Sequence, residues 1–112
     1  MSDVSTIFDT LMTTIKDRRD NPSQKSYTNS LMQGGVDKIG KKIIEEADEV
    51  VQAATEPDQA GRDHLIHEAA DLIYHLFVML GRRNIELDEV RQELHRRFGQ
   101  SGLDEKASRT TK

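Results

Sequence analysis

VDKIGKKIIEEADEVVQAAT, residues 36–55, places its apolar residues at positions 36, 39, 43, 44, 47, 50, 51 and 54. Steps of three and four match the helical period and not the alternation of a strand, so a long helix is expected from Val36 to about Thr55. The same stretch crowds Glu45, Glu46, Asp48 and Glu49 among Ile43, Ile44, Val50 and Val51. Carboxylates repel one another and are costly to bring toward apolar surroundings, so this crowding calls for a source of positive charge.

On the C-terminal side, TEPDQAGRD (55–63) concentrates Pro57, Gly61 and polar residues, the composition of a helix-helix connection. HLIHEAADLIYHLFVMLGRR then reads as a second helix from His64 to about Arg82, antiparallel to the first. Its middle is apolar almost all the way round, as in a buried helix, which in so small a domain points to a partner subunit. On the N-terminal side, Val4, Ile7, Phe8, Leu11, Met12 and Ile15 outline an amphipathic helix from Ser2 to Arg19. Ser2 or Ser5 would cap it, and Asn21-Pro22 would end it. SYTNSLMQGG adds a helical turn over Tyr27–Gln33, closed by a joint at Gly34-Gly35. After a turn at Asn84–Glu86, Leu87, Val90, Leu94 and Phe98 form the stripe of a last helix ending near Gly99. The tail, 101–112, lacks periodicity and is expected to be disordered.

With 112 residues, 7 glycines, 2 prolines and 32% charged residues, the chain suits one all-α domain over 1–100, a bundle of four to five helices around two long central ones. A net charge of −4 and dispersed aromatics argue against nucleic acid as a partner. No cysteine is present, which excludes disulfides and thiolate zinc sites and suits the cytoplasm. No signal peptide or membrane-spanning run is legible.

At about 100° per residue, Glu46 and Glu49 stand about 60° apart at the margin of the arc of Ile39, Ile43, Val50 and Ala54. Glu45 and Asp48 point further outward. Glu68 and Asp71 repeat the spacing on the next helix, again at the edge of an apolar face. Antiparallel packing would bring both pairs together as four hard oxygen ligands, suited to Mg²⁺ or Mn²⁺ shared with substrate phosphates. Acidic pairs of this spacing also occur as solvated decoration, and Lys42 with Glu46 is an ordinary i,i+4 ion pair. The second acidic pair, on a helix otherwise poor in polar residues, favours the site. Lys38, Lys41 and Lys42 could contact phosphates or simply solubilise their helix, with Lys42 best aligned with the acids. His64 and His75 read as packed, hydrogen-bonded residues.

SYTNSLMQGGVDKIGKKIIEEADEVVQAA followed by HEAADLIYHLFVML resembles the phosphoribosyl-ATP pyrophosphohydrolase family of histidine biosynthesis over most of the chain. EExxE then ExxD is shared with the wider MazG-like all-α pyrophosphohydrolases, whereas SYT, DLIYHL and LDEV point to the narrower family. The resemblance implies Mg²⁺-dependent hydrolysis of phosphoribosyl-ATP between its α and β phosphates, by a homodimer of intertwined helices. By matching position it implies Glu46, Glu49, Glu68 and Asp71 as metal ligands, Glu45 as a supporting catalytic acid, and Lys42 and Lys38 on the phosphates. It leaves open the general base and the role of Ser26, Tyr27 and Thr28. Some members of the family are fused to a zinc cyclohydrolase, for which this chain has neither the length nor the cysteines. Glu86 departs from the usual Ser or Thr helix cap.

Three other readings compete. One is a housecleaning enzyme of the same superfamily acting on nucleoside triphosphates, and another is a non-catalytic helical dimerisation module. A di-iron bundle is disfavoured because its Glu-x-x-His pattern is absent.

Overall fold

The computed structural model describes residues 3–99. After a single 3-10 turn (Val4–Thr6), four helices follow: α1 (Ile7–Asp20), α2 (Tyr27–Ala54), α3 (Asp58–Arg82) and α4 (Leu87–Phe98). The all-α architecture expected from the helical period is thus present, with α2 and α3 packed together as the central pair. Gly35 faces Arg82, Gly40 faces Met79 and Glu49 faces Glu68, so facing positions descend on α3 as they rise on α2. The pair is antiparallel. α1 lies across both, and α4 packs more lightly.

The core forms where α1 meets the central pair. Ile15, Leu31, Ile39 and Val78 are fully buried, joined by Met12, Met32 and Phe77. Each removes most of a side chain from water, about 1.5–3 kcal/mol per large apolar residue. α4 attaches through Leu87, which packs on this core, and through ion pairs of Lys16 with Glu86 (2.6 Å) and of Arg91 with Asp9.

Several boundaries differ from those expected. α1 begins at Ile7, because the Asp3 carboxylate accepts the Ser5 N–H (3.0 Å) and holds the preceding turn in 3-10 form; Ser5 is a donor there, not a cap. The segment from Tyr27 does end at the expected glycine joint: α2 consists of two helical parts that meet at Gly35, where the backbone leaves helical geometry (φ 73°, ψ −167°) and the helix kinks. That region of backbone space is closed to residues with a Cβ, which explains the joint at this glycine. The kink swings Tyr27 and Thr28 back onto the turn of α3 that carries Tyr74 and His75.

The connection at 55–63 is also shorter than its composition implied, because α3 begins at Asp58. Gly61 is not a breaker. Its Cα rests against the Glu56 carbonyl, where a Cβ would lie 2.3 Å from that oxygen, so the chain can turn tightly into the helix. Glu86 does start α4: its own N–H donates to the Glu89 carboxylate (2.8 Å), which supplies the capping contact that a Ser or Thr would otherwise make from the other direction. The expected disordered tail lies outside the described residues. Among the described residues no helix is long and apolar enough to cross a membrane.

Candidate metal centre

Antiparallel packing carries Glu46 and Glu49 of α2 up to Glu68 of α3. One carboxylate oxygen from each lies within 4.8 Å of the other two. Glu46 and Glu68 are each only 5% exposed, and Glu49 is half-buried. Glu46 Oε2 and Glu68 Oε2 are buried without any hydrogen-bond partner. An unpaired buried carboxylate oxygen costs several kcal/mol in principle, so three acids in this arrangement are stable only with a shared proton or a cation. The first alternative is visible in the electrostatics: Glu68 is pushed up to about 7, chiefly by hydrogen bonding with Glu49, then by burial and by Glu46. That proton belongs to the coupled group, not to one residue.

The remaining acids are placed differently. Glu45 faces solvent and pairs with Lys42 (Nζ to Oε1, 3.2 Å), an interaction that raises the lysine's pKa. Lys42 also stands 3.7 Å from Glu46 Oε1, so it borders the triad. Lys38 does not; its ammonium reaches back over the kink to the Ser30 carbonyl at 3.4 Å. Asp71 is not in the triad of Glu46, Glu49 and Glu68. It belongs to a second group with His67 and Glu68, whose ligand atoms also lie within 4.8 Å of one another. The two groups share Glu68. One turn of helix separates positions 68 and 71 along α3, and the triad closes on the Glu68 side because Glu49 faces position 68.

The histidines divide as well. His75 is buried, and its Nδ1 lies 2.9 Å from the Asp71 carbonyl. A carbonyl only accepts, so Nδ1 carries the proton, and in the neutral ring Nε2 accepts from the Tyr27 hydroxyl at 3.0 Å. This fits the packed reading of His75 and ties the start of α2 to the turn of α3 bearing Asp71. Alongside it, Tyr27 stacks on Tyr74 with centroids 6.2 Å apart, and the Thr28 and Tyr74 hydroxyls are hydrogen bonded. His64 pairs with Glu56 (2.9 Å), which raises its pKa, and its other nitrogen is 3.7 Å from Glu68. His67 is marked in the sequence only by its i,i+4 spacing to Asp71. The Tyr27–His75 contact depends on the kink and has no trace in local pattern.

Comparison with known proteins places the chain in a family. The model of the phosphoribosyl-ATP pyrophosphohydrolase family matches residues 8–98. A phosphoribosyl-ATP pyrophosphatase of Rhodopirellula baltica is 58% identical over 104 residues, covering 93% of this chain and 87% of the relative. One from Pelobacter propionicus is 43% identical over 112 residues, covering 99% of this chain and 100% of the relative. A histidine biosynthesis bifunctional protein of Helicobacter hepaticus is 48% identical over 103 residues, which are 92% of this chain and 43% of that protein.

Proposed function

The chain belongs to the phosphoribosyl-ATP pyrophosphohydrolase family, and from that premise we propose how its own side chains carry out the reaction. The activity is that of a phosphoribosyl-ATP pyrophosphatase in histidine biosynthesis, and the substrate is phosphoribosyl-ATP. Glu46, Glu49 and Glu68 hold a divalent cation, with Asp71 as a further ligand beyond Glu68. The observation that carries this reading is the pair of orphaned buried oxygens, Glu46 Oε2 and Glu68 Oε2. An all-oxygen donor set fits Mg²⁺, with Mn²⁺ as a substitute.

When bound, such an ion shields the triphosphate, lowers the pKa of a coordinated water and steadies the departing pyrophosphate. The side chains do the rest. Lys42, beside Glu46, neutralises phosphate charge at the edge of the site, and Lys38 does so after releasing the Ser30 carbonyl. A carboxylate of the cluster takes the proton of the attacking water, and Glu45 supports the site from outside by holding Lys42 in place. Attack falls on the linkage between the α and β phosphates and gives phosphoribosyl-AMP and pyrophosphate.

The functional unit is a homodimer. Ile44 (73% exposed), Val51 (64%) and Ile66 (58%) leave apolar surface on the central helices that a second copy would cover. The deciding experiment is pyrophosphate release from phosphoribosyl-ATP with and without Mg²⁺, run beside ordinary ATP and a panel of dNTPs. Fast Mg²⁺-dependent release from phosphoribosyl-ATP alone is expected; preference for a dNTP would overturn the assignment.

A further inference from the structure

We propose that the cavity between the end of α1 and the start of α2 is a phosphomonoester site, which takes the terminal phosphate of the substrate's phosphoribosyl group and so sets phosphoribosyl-ATP apart from ATP. The inference rests on the substrate assigned above and gives a role to Ser26, Tyr27 and Thr28, which the metal chemistry leaves unused.

The cavity, of about 490 Å³, is lined by Arg18 of α1 and by Ser23, Lys25, Ser26, Tyr27 and Thr28 at the entry to α2. That volume lies in the range of small-molecule sites. No carboxylate lines it, although the chain carries 20 acids against 16 lysines and arginines. Arg18 touches Asp17 at the rim through one nitrogen at 3.2 Å, an exposed pair of neighbours that leaves the rest of its donor fork available. Lys25 is exposed and pairs with no carboxylate among the described residues. Two cations and several hydroxyls without a balancing acid suit a dianion that offers three acceptor oxygens.

The wall is held in shape from behind. Asn29, 6% exposed, donates from its side-chain amide to the Ser23 carbonyl (3.1 Å) and from its backbone N–H to Ser26 Oγ (3.1 Å). The Ser26 N–H donates to the same carbonyl (3.0 Å), and the buried Thr28 hydroxyl is hydrogen bonded to that of Tyr74. A loop fixed in this way loses little freedom when a ligand arrives. Tyr27 joins the cavity to the metal centre: its hydroxyl donates to His75 Nε2, and His75 Nδ1 donates to the Asp71 carbonyl. The pKa of Lys42, raised chiefly by Glu45, is also raised by Tyr27, so the ammonium stands near that ring. From Glu68 to His75, α3 advances about 10 Å. That is the order of separation adenosine puts between its 5′ phosphate and a group carried on the base.

The test uses the full chain and two probes. Ribose 5-phosphate, titrated into metal-free protein, should shift the amide resonances of residues 23–28 and the Arg18 Nε resonance; ribose without phosphate should not. Arg18→Gln and Lys25→Gln change exposed positions, and circular dichroism checks that both variants fold. Each should bind ribose 5-phosphate about tenfold or more weakly. The ratio of kcat/KM for phosphoribosyl-ATP to that for ATP should fall by a similar factor, through KM more than kcat. An unchanged ratio, or shifts that ribose alone reproduces, would overturn the proposal. An equal fall for both nucleotides would also overturn it, by assigning the two cations to the triphosphate. If wild type binds ribose 5-phosphate through Arg18 and Lys25 yet does not hydrolyse phosphoribosyl-ATP, the phosphomonoester site stands and the enzymatic reading falls.

Discussion

Cation uptake at the triad should release a proton at neutral pH, in an amount set by the proton that Glu68 shares with Glu49 and Glu46. Its carboxyl is pushed up to about 7 by hydrogen bonding with Glu49, by burial and by Glu46. Such a group is roughly three-quarters protonated at pH 6.5 and about one-tenth protonated at pH 8. A divalent ion binds the carboxylate form, so uptake should expel about 0.8 proton per chain at pH 6.5 and about 0.1 at pH 8. Calorimetric titration of Mg²⁺ into metal-free protein, in buffers of differing ionisation enthalpy, measures that number directly. The same proton governs stability without metal. The folded-state pKa of Glu68 lies above its ordinary 4.5, so the native state binds the extra proton between pH 4.5 and about 7. Its contribution to stability is therefore fully present below about 4.5 and is lost as pH rises through about 7. Glu68→Gln should abolish the pH-dependent proton release and flatten this part of the stability profile. Release that is absent at pH 6.5, or that survives in Glu68→Gln, would show that the three acids do not share a proton as described.

The other expectations are simpler. Glu49→Ala relieves repulsion within the triad, so pyrophosphate release should fall by about 100-fold or more while thermal unfolding of the metal-free protein is unchanged or later; a helical module without chemistry would show only the second effect. Gly35→Ala forces a Cβ into φ 73° and should cost about 1–3 kcal/mol in urea denaturation. The Tyr27–His75 hydrogen bond should loosen with it, visible in the His75 imidazole resonances. Ile39→Ala empties a fully buried site between α2 and α3 and should cost about 2–5 kcal/mol with an unchanged denaturant slope. On the proposed homodimer, Ile44→Asp places a charge on the exposed apolar strip of α2 and should yield a monomer in light scattering, against a dimer for wild type.

Residues 36–55 determined much of this protein by themselves, because a helical apolar period over so many residues has one low-energy reading and fixes which acids share a margin. That period and antiparallel packing pointed to Glu46, Glu49, Glu68 and Asp71 as acids that could meet, and of these Glu46, Glu49 and Glu68 come together. Lys42 likewise stands beside the acids because a helix brings i and i+4 together. Local pattern carried less about boundaries: α3 gains a turn and a half because Gly61 accommodates the Glu56 carbonyl, a contact between chain segments and not a property of glycine in isolation. Only tertiary structure decided that Asp71 groups with His67 instead of with Glu46 and Glu49, since this depends on which turn of α3 faces which turn of α2. It also decided that Tyr27 meets His75, through the change of direction at Gly35. Periodicity reports the face a side chain occupies, and distance along the facing helix is set by packing.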